Sequence, residues 1–528
     1  MPLSMSGVRR LRPKFKVVHI APVLAILALM AWALASPVGS SPDDDFHLAS
    51  IWCAAGEQPN QCHVVADESK RAVPRALKIP CFARQPNKSA ACQVALFNNR
   101  SNDLTSVRGN FDGLYPPLYY STMSHLVTSG VEISAILMRI VNILLLVVLT
   151  TVLYVLLPAI RRTSLVWGMA VSLVPLGLFL VASNNPSAWA IISAGTLWIS
   201  LVGYFESSGA KKAGLGIVAA LATVIGAGAR SDSAIYVLVA IAVVVLLTGV
   251  WQRRWIVSAL LPAGLAVTAA IFFLSAGQSV SAASGLPDMA NSAHASDSRY
   301  LVFIDFLNVP SLWAGVFGSW RLGWLDTPVP AIVWVGGLGC AAGLAFLGLA
   351  SVSTRKVLAA ILVLGILWLL PTYFLVQSGS EVGTGVQPRY ILPLVTILVG
   401  VVLWQVGGKR LVLSTGQVVA LVSTLSVANA AALHFDMRRY ITGTSVVGWN
   451  LDAGIGWWWG IPVSPMVVWA MGSLSFAAFL VIVARETLVA RPADASRDQH
   501  DGAAEFLPSG ERDSHAVQAR RRHVRGRL

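Results

Sequence analysis

Long apolar runs separated by short polar loops fill most of the chain. A membrane-spanning helix needs about 20 mainly apolar residues, and runs near that length recur along the sequence. We predict twelve spans, near residues 17–36, 134–157, 163–182, 186–205, 213–229, 234–250, 256–274, 329–350, 357–376, 391–407, 411–432 and 464–484. The pattern therefore predicts an all-α polytopic membrane protein with a large first extracytoplasmic loop.

Composition excludes the alternative of several soluble domains. Hydrophobic residues make up 55% of the 528 residues and charged residues only 12%, whereas a soluble domain is about 25% charged. So few charges cannot cover the surface of soluble domains of this total length. The lipid bilayer is therefore the first predicted partner, and the net charge of +14 needs its own explanation.

Basic residues explain that charge, because they gather in alternate loops. They lie before the first span and in the pairs Arg161/Arg162, Lys211/Lys212, Arg253/Arg254, Arg355/Lys356 and Lys409/Arg410. Lys and Arg are retained on the cytoplasmic side of short loops. The pattern predicts a plasma-membrane protein with both termini in the cytoplasm, which an even number of spans also requires. We predict no nucleic-acid partner.

The first apolar run has a second interpretation as a cleavable signal peptide. A basic start precedes it, and Ala33-Leu34-Ala35 stands before Ser36. The run from Val17 to Ala35 exceeds the usual apolar core of such peptides, so we favour an uncleaved first helix.

These spans divide the chain into five predicted parts. They are a basic cytoplasmic segment 1–16, the first helix 17–36, an extracytoplasmic loop 37–133, a transmembrane domain 134–484 with outer loops 275–328, 377–390 and 433–463, and a disordered cytoplasmic tail 485–528.

Four of the five cysteines lie in the first outer loop, at positions 53, 62, 81 and 92. Four thiols in one extracytoplasmic loop indicate two disulfides. Three pairings are possible, and we favour the local ones, Cys53–Cys62 and Cys81–Cys92. A metal site is the alternative, but no Cys-x-x-Cys pair supports it. Cys340 lies within an apolar span, where a buried thiol acts as a small hydrophobic residue.

The strongest chemical signal is the acidic cluster Asp43-Asp44-Asp45, which follows the first span and precedes His47. Adjacent carboxylates at a membrane exit repel one another and resist desolvation. A bound cation, an arginine or a shared proton would compensate them, and a solvated helix cap is the plain alternative. Because His47 is also able to carry a proton near neutral pH, we favour a site.

Two further motifs surround the second span. Tyr115, Tyr119 and Tyr120 flank a pair of prolines that fixes an extended backbone, suited to stacking on a sugar or prenyl chain or to an aromatic belt at the membrane surface. Arg139 lies a few residues into the span, where an unpaired cation is costly. We expect it to point outward to an anion, either the acidic cluster or a phosphate.

Two other charged groups lie at outer turns. Arg230 and Asp232 occupy a tight turn, where a local surface ion pair is the simpler interpretation and a substrate contact the alternative. The turn before the tenth predicted span carries Gln387, Arg389 and Tyr390. An arginine held at the membrane face is suited to gripping a phosphate with two hydrogen bonds.

In order and spacing, these motifs resemble a bacterial membrane-protein family catalogued as a domain of unknown function, which itself resembles the GT-C glycosyltransferases. The similarity rests on residues 42–47, 116–120, Arg139 and 387–393, and covers roughly 15–485. The chain departs from the family pattern at Asp44, where Glu is usual, at Pro388, where Gly is common, and at Ser187, where an acidic residue is expected.

The resemblance implies a sugar transfer on the outer face from a polyprenyl-phosphate donor to an envelope glycan or glycolipid of actinobacterial type. It places an inverting general base at Asp43 or Asp44, with His47 orienting it and Arg389 and Arg139 on the departing phosphate. Asp45 and the tyrosines would contact substrate. The carboxylates could hold Mg²⁺ or Mn²⁺. A lipid-glycan flippase and a non-catalytic envelope assembly protein are the alternatives.

Overall fold

In the computed structural model of the protein, the described residues are 17–58, 61–65, 67–98, 104–277, 292–383, 385–408, 410–454 and 456–489. The predicted basic segment 1–16 and almost all of the predicted tail lie outside these ranges. The tail was predicted to begin at 485, but the last helix continues to Thr487.

The described chain is mostly helical. Its helices are α1 (Ala21–Ala35), α2 (Asp44–Cys53), α3 (Val94–Asn98), α4 (Leu118–Ser124), α5 (Val131–Leu156), α6 (Ala159–Ser172), α7 (Leu176–Val181), α8 (Ser187–Glu206), α9 (Gly209–Ala229), α10 (Ser231–Thr248), α11 (Arg253–Ser258), α12 (Leu260–Ser275), α13 (Ser298–Asn308), α14 (Pro310–Val316), α15 (Ala331–Gly348), α16 (Thr354–Gln377), α17 (Pro388–Val402), α18 (Thr415–Ile441) and α19 (Pro465–Thr487).

Ten helical segments of the described chain are long and apolar enough to cross a membrane, instead of the twelve predicted. They are α1 with the turn before it, α5, α8, α9, α10, α11 with α12, α15, α16, α18 and α19. The predicted third span is divided between α6 and the short α7, with Pro175 at the start of α7. Proline lacks the backbone N–H that a continuous helix needs. The predicted tenth span is α17, which has only 15 residues.

The most deeply buried of the candidate spans is α8. In its most apolar 18-residue stretch 89% of the residues are buried, whereas the value is 22% for the span formed by α11 and α12. It packs against α5, α6, α9, α10 and α17. Its sequence is apolar on all sides, as expected for a helix surrounded by other helices. The first turn of α8 therefore occupies a fixed position at one end of the bundle.

The segment predicted to be the first outer loop contains a small sheet that the all-α prediction missed. Strands β1 (His63–Val65), β2 (Asp67–Val73) and β3 (Leu104–Ser106) pair antiparallel in the order β1-β2-β3. In the register, Ala72 of β2 lies opposite both His63 and Thr105. Strands this short give little periodic signal.

Both predicted disulfides are present. Cys53 is bonded to Cys62 and Cys81 to Cys92, the local pairings favoured from the sequence. Cys340 is a free thiol, partly buried in α15. The disulfides close short loops beside the chain that leaves α1, so they restrict the region that carries the acidic cluster.

The outer segment predicted from 433 starts later, because α18 continues to Ile441. The last turns of this helix are buried and face the residues that follow α1. Ser36 donates a hydrogen bond of 3.0 Å to Asp436, and Tyr440 is fully buried. The end of α1 is thus enclosed by α18.

Candidate functional site

The acidic cluster lies at a sharp corner between α1 and α2. Asp43 adopts a left-handed backbone conformation (φ 62°, ψ 17°) and precedes the first residue of α2. Such a conformation is strained for a residue with a side chain and is concentrated at functional sites. Asp44 and Asp45 occupy the first turn of α2, where the positive end of the helix dipole favours carboxylates.

Asp43 is the accessible carboxylate of the three, with 43% of its side chain exposed. Its Oδ2 accepts a hydrogen bond of 2.6 Å from Nη2 of Arg389, and its Oδ1 one of 3.4 Å from Nη2 of Arg108. Burial raises the pKa of Asp43, but the charge and hydrogen bond of Arg389 outweigh it and lower the pKa to about 2. Asp43 is ionised at neutral pH.

Asp44 has the opposite environment, because it is completely buried. Its Oδ2 accepts a hydrogen bond of 3.2 Å from the backbone N–H of Ser41, while its Oδ1 has no hydrogen-bond partner. Burial raises the pKa of Asp44 to about 7, although the charge of Arg139 and the hydrogen bond from Ser41 both lower it. Asp44 therefore holds a proton over most of the acidic range.

Arg108 compensates the third carboxylate and was missed from the sequence. Its Nε donates a hydrogen bond of 2.6 Å to Oδ2 of Asp45, which is only 4% exposed. Its Nη2 also contacts Oδ1 of Asp45 at 3.3 Å. Arginines on Asp43 and Asp45, and a raised pKa on Asp44, thus supply the compensation that the sequence demanded.

His47 does not titrate near neutral pH, contrary to the sequence prediction. It is buried, and its Nδ1 lies 2.9 Å from the hydroxyl of Tyr120. Burial, reinforced by Arg230 and Arg389 and only partly opposed by Asp43, lowers the pKa of His47 to about 3. A neutral histidine supports the packing beneath the corner and does not exchange protons there.

Two of the four tyrosines predicted to contact substrate are also buried. Tyr119 is 0% and Tyr120 2% exposed, and their rings lie 5.7 Å apart. Tyr119 packs edge-on against Trp189 of α8 at 5.1 Å. Their burial does not fit stacking on a sugar or prenyl chain, and they form the apolar support of α2 instead. Tyr115 is partly buried, and its ring packs edge-on with that of His47, with the ring centres 5.5 Å apart.

Comparison with protein families gives one match. The family is described as "Predicted membrane protein (DUF2142)", and the match covers residues 26–398. The chain belongs to this family. The matched region includes the acidic corner and Arg389. A comparison with curated proteins finds no match.

Arg389 is the basic centre of the site in this DUF2142 protein. It is the second residue of α17 and is 5% exposed. Besides Asp43, it donates hydrogen bonds to the carbonyl of Pro42 and to the hydroxyl of Tyr390, each at 3.0 Å. Its Nε is buried without a hydrogen-bond partner. A guanidinium with one free N–H retains capacity for another acceptor.

A cavity of about 20 Å³ adjoins Arg389, and Pro42, Gln387 and Trp320 are among its lining residues. Its volume is close to that of one water molecule. Gln387 thus lies beside the site as predicted, but the space is far too small for a sugar ring.

Arg230 and Asp232 form the predicted ion pair, but not at the surface. Arg230 is 4% exposed, and its Nε and Nη2 contact Asp232 at 2.9 and 2.7 Å. Its guanidinium carbon lies 5.2 Å from the ring centre of Tyr390 and 5.7 Å from that of Tyr115. The pair therefore belongs to the same cluster as Arg389.

Arg139 lies close enough to Asp44 of the predicted acidic cluster for its charge to lower the pKa of that carboxyl, but its hydrogen bonds go to other groups. It is fully buried and donates to the carbonyls of Ala33, Ser36 and Pro37 at 2.6, 2.6 and 2.8 Å, and to Oδ1 of Asn184 at 3.0 Å. These carbonyls belong to the end of α1 and to the chain just after it. Arg139 therefore acts as a C-terminal cap of α1 that fixes the corner.

The start of α8 contributes two residues to which the sequence assigned no role, Asn185 in the turn before the helix and Ser187 as its first residue. The side-chain amide of Asn185 donates to Ser41 Oγ at 3.1 Å and to the carbonyl of Pro42 at 2.9 Å. Ser187, found where the family pattern has an acidic residue, accepts a hydrogen bond of 3.3 Å from Arg230. Asparagine and serine are common in turns, so their spacing alone gives no signal.

The described residues do not fit a bound divalent metal. They include no group of three or more His, Cys, Asp and Glu side chains that could hold one. Asp43 and Asp45 already bind guanidinium groups. We derive no step through Mg²⁺ or Mn²⁺.

Proposed function

We propose that this protein is a GT-C-like glycosyltransferase that moves a sugar from a polyprenyl phosphate to a hydroxyl of an envelope glycan or glycolipid, on the outer face of the membrane. Asp43 takes the proton of the acceptor hydroxyl. The hydroxyl oxygen then bonds to the anomeric carbon of the donor sugar, and the bond from that carbon to the phosphate oxygen breaks. Polyprenyl phosphate leaves, and the anomeric configuration inverts.

The observation that carries this proposal is the exposed, ionised Asp43 held against Arg389 at the end of a membrane helix. A general base must be within hydrogen-bond reach of the proton that it abstracts. Asp43 meets this condition from the solvent side, whereas Asp44 is enclosed. This favours Asp43 as the base and leaves Asp44 a supporting position beneath it.

The pairing with Arg389 gives the donor phosphate a role in activating the base. A carboxylate with a pKa of about 2 is a weak base. A phosphate that binds Arg389 competes with Asp43 for the same guanidinium. Once that hydrogen bond is lost, burial is the dominant influence on Asp43 and its pKa rises. Asp43 then becomes a competent base only when the donor is present.

Arg389 also suits the departing group. The phosphate gains negative charge as the bond to the sugar breaks, and a preorganised guanidinium near lipid stabilises that charge strongly. The small cavity beside Arg389, which Leu176, Phe179 and Leu180 help to line, is too small for an isoprene unit. The sugar would lie on the exposed side of Asp43, since the cavity cannot accept it.

The test uses the full-length protein in nanodiscs, with a panel of polyprenyl-phospho-sugars and envelope acceptors. Binding of each donor and formation of product are measured separately. We expect Asp43→Asn to lower the transfer rate by about a hundredfold or more, while the donor binds at least as tightly because Asn competes poorly for Arg389. Arg389→Ala should weaken both binding and transfer.

Asp112→Asn is the matched control, since Asp112 is an exposed carboxylate of the same loop. Transfer that survives Asp43→Asn unchanged would remove Asp43 from the mechanism. Donor translocation across a vesicle without transfer would identify a flippase. Neither binding nor translocation of any donor would favour an envelope assembly protein.

A further inference from the structure

A second cavity lies away from the acidic corner, at the opposite end of the helix bundle. It has a volume of about 430 Å³ and is enclosed by the first half of α1, the second half of α5, α6 and the end of α19. Ala25, Val147, Val166 and Phe479 are typical of its mostly apolar lining. Three of these four helices, α1, α5 and α19, are candidate membrane spans, so we expect lipid around this cavity.

The depth of the cavity corresponds to one leaflet. Its lining on α1 extends from Val18 and Pro22 to Leu29. At 1.5 Å per residue this is roughly 16 Å along the helix axis, about half of the 30 Å hydrocarbon core of a bilayer. The cavity therefore begins at one membrane surface and ends near the midplane.

The titratable lining residues lie at the end farthest from Leu29. They are His19, Tyr154, Arg162 and Glu486, each in the outermost turn of its helix. His19, Tyr154 and Glu486 already have partners within the protein. The guanidinium carbon of Arg162 lies 4.7 Å from the ring centre of Tyr154, and its buried Nε has no hydrogen-bond partner. A cation with a free donor at the mouth of an apolar channel matches an amphiphile with an anionic head.

We propose that this cavity binds one acyl chain of an anionic phospholipid from the leaflet opposite the acidic corner, with the lipid phosphate on Arg162. The acyl chain lies between α1 and α6 and fills the gap that the four helices leave. The phosphate accepts a charge-assisted hydrogen bond from the guanidinium group of Arg162. This site is separate from the donor site proposed at Arg389, which lies at the other end of α1.

The bound acyl chain would stabilise the N-terminal half of α1. Near its C-terminal end α1 is held by Arg139 and by the hydrogen bond of 3.0 Å from Trp32 to Asn429 of α18. The first half of α1 borders the cavity instead. A bound acyl chain supplies there the packing that protein side chains supply elsewhere.

The test is native mass spectrometry of the full-length protein in detergent. It is titrated with phosphatidylglycerol and with phosphatidylcholine of the same acyl chains. We expect phosphatidylglycerol to bind about tenfold more tightly than phosphatidylcholine. Arg162→Gln should remove this preference, whereas Arg254→Gln should retain it, because Arg254 is an exposed arginine outside the cavity.

A second pair of variants keeps the proposal falsifiable if the arginine change disturbs folding. Ala25→Phe fills the cavity and should abolish the tight lipid adduct. Val23→Phe is the control, because Val23 is 55% exposed on the same helix and does not line the cavity. Equal lipid binding by these two variants, or a preference for polyprenyl phosphate over phosphatidylglycerol that Ala25→Phe removes, would overturn the proposal.

Discussion

Asp43, Asp44 and Asp45 are adjacent in the chain, yet each carboxylate has a different environment. Asp43 is half exposed and paired with Arg389, Asp44 is enclosed with one unpartnered oxygen, and Asp45 is buried against Arg108. Nη2 of Arg108 contacts both Asp43 and Asp45, at 3.4 and 3.3 Å. Three full negative charges do not meet at the corner up to neutral pH, because the pKa of Asp44 is about 7 and its carboxyl holds a proton at lower pH.

The raised pKa of Asp44 predicts a specific dependence of stability on pH. The pKa of Asp44 is about 7 in the folded protein, whereas the ordinary value for an aspartate, which we take for the unfolded chain, is 3.8. Between these values the folded state holds a proton that the unfolded state has released, so Asp44 destabilises the fold progressively as pH rises from 4 to 7, by up to roughly 4 kcal/mol. Asp44→Asn should remove this penalty, which thermal unfolding in detergent at several pH values would measure.

Because His47 also contributes to the pH dependence of stability, the effect of Asp44 has to be measured as the difference between Asp44→Asn and the wild-type protein. Its pKa of about 3 lies below the ordinary 6.5, so its contribution to stability increases as pH rises towards 6.5. The two contributions oppose each other in the wild-type protein. The expected result is therefore that the advantage of Asp44→Asn over wild type grows from pH 4 to 7 and is constant above it. An advantage independent of pH would contradict the assignment.

At the residue scale, the sequence predicted the acidic corner, Arg389 and both disulfides, but not Arg108. Asp43 and Arg389 are conspicuous because charge is rare beside apolar runs. Arg108 lies in a polar loop with other basic residues, and only the fold brings it to Asp45. The predicted protonation of His47 was wrong for a related reason, since its burial is a property of the fold.

At the scale of elements, α5 positions the corner between α1 and α2. Arg139 reaches across to three carbonyl groups at and after the end of α1 and to Asn184 before α8. One side chain therefore joins α1, α5 and the turn before α8. The apolar pattern predicted the spans α1 and α5 well. It contains no information on which carbonyl groups a buried arginine contacts.

This arrangement predicts that Arg139 determines the stability of the corner. Arg139→Met leaves buried carbonyl oxygens without donors and should destabilise the fold by about 3 kcal/mol or more. Arg139→Lys should not restore it, because an ammonium lacks the planar fork of donors. Thermal unfolding in detergent measures both.

The control for this element is Arg254→Gln, which alters an exposed arginine of α11. It should unfold at the wild-type temperature. Full stability of Arg139→Met would show that the carbonyls of α1 find other donors.

At the scale of the whole molecule, the two ends of the bundle differ in charge. The acidic corner, Arg230 and Arg389 gather at one end, whereas Arg161, Lys211 and Arg253 begin helices at the other. The sequence predicted this asymmetry because spans alternate in direction whatever their exact number. Of the twelve predicted spans, ten correspond to described helical segments long enough to cross a membrane, while the third is divided at Pro175 and the tenth, α17, has 15 residues. Helix length and such breaks depend on packing that an apolar run does not encode.

The asymmetry predicts which face is outside, and two serines test it. Ser296 precedes α13, at the end of the bundle that carries Arg389, where the nearby Ser292 contacts Glu381. Ser208 precedes α9 at the opposite end. Both are exposed. In a Cys340→Ala background, a membrane-impermeant maleimide should label Ser296→Cys on intact cells, and Ser208→Cys only after permeabilisation.

The physical reason is the retention of Lys and Arg on the cytoplasmic side during insertion. Because both variants replace serine by cysteine at exposed turns, a difference in labelling reports the side of the membrane and not the reactivity of the thiol. The reverse pattern would place Asp43 in the cytoplasm. A transfer from an outer-leaflet donor would then be impossible, whatever the fate of the Asp43 and Arg389 variants.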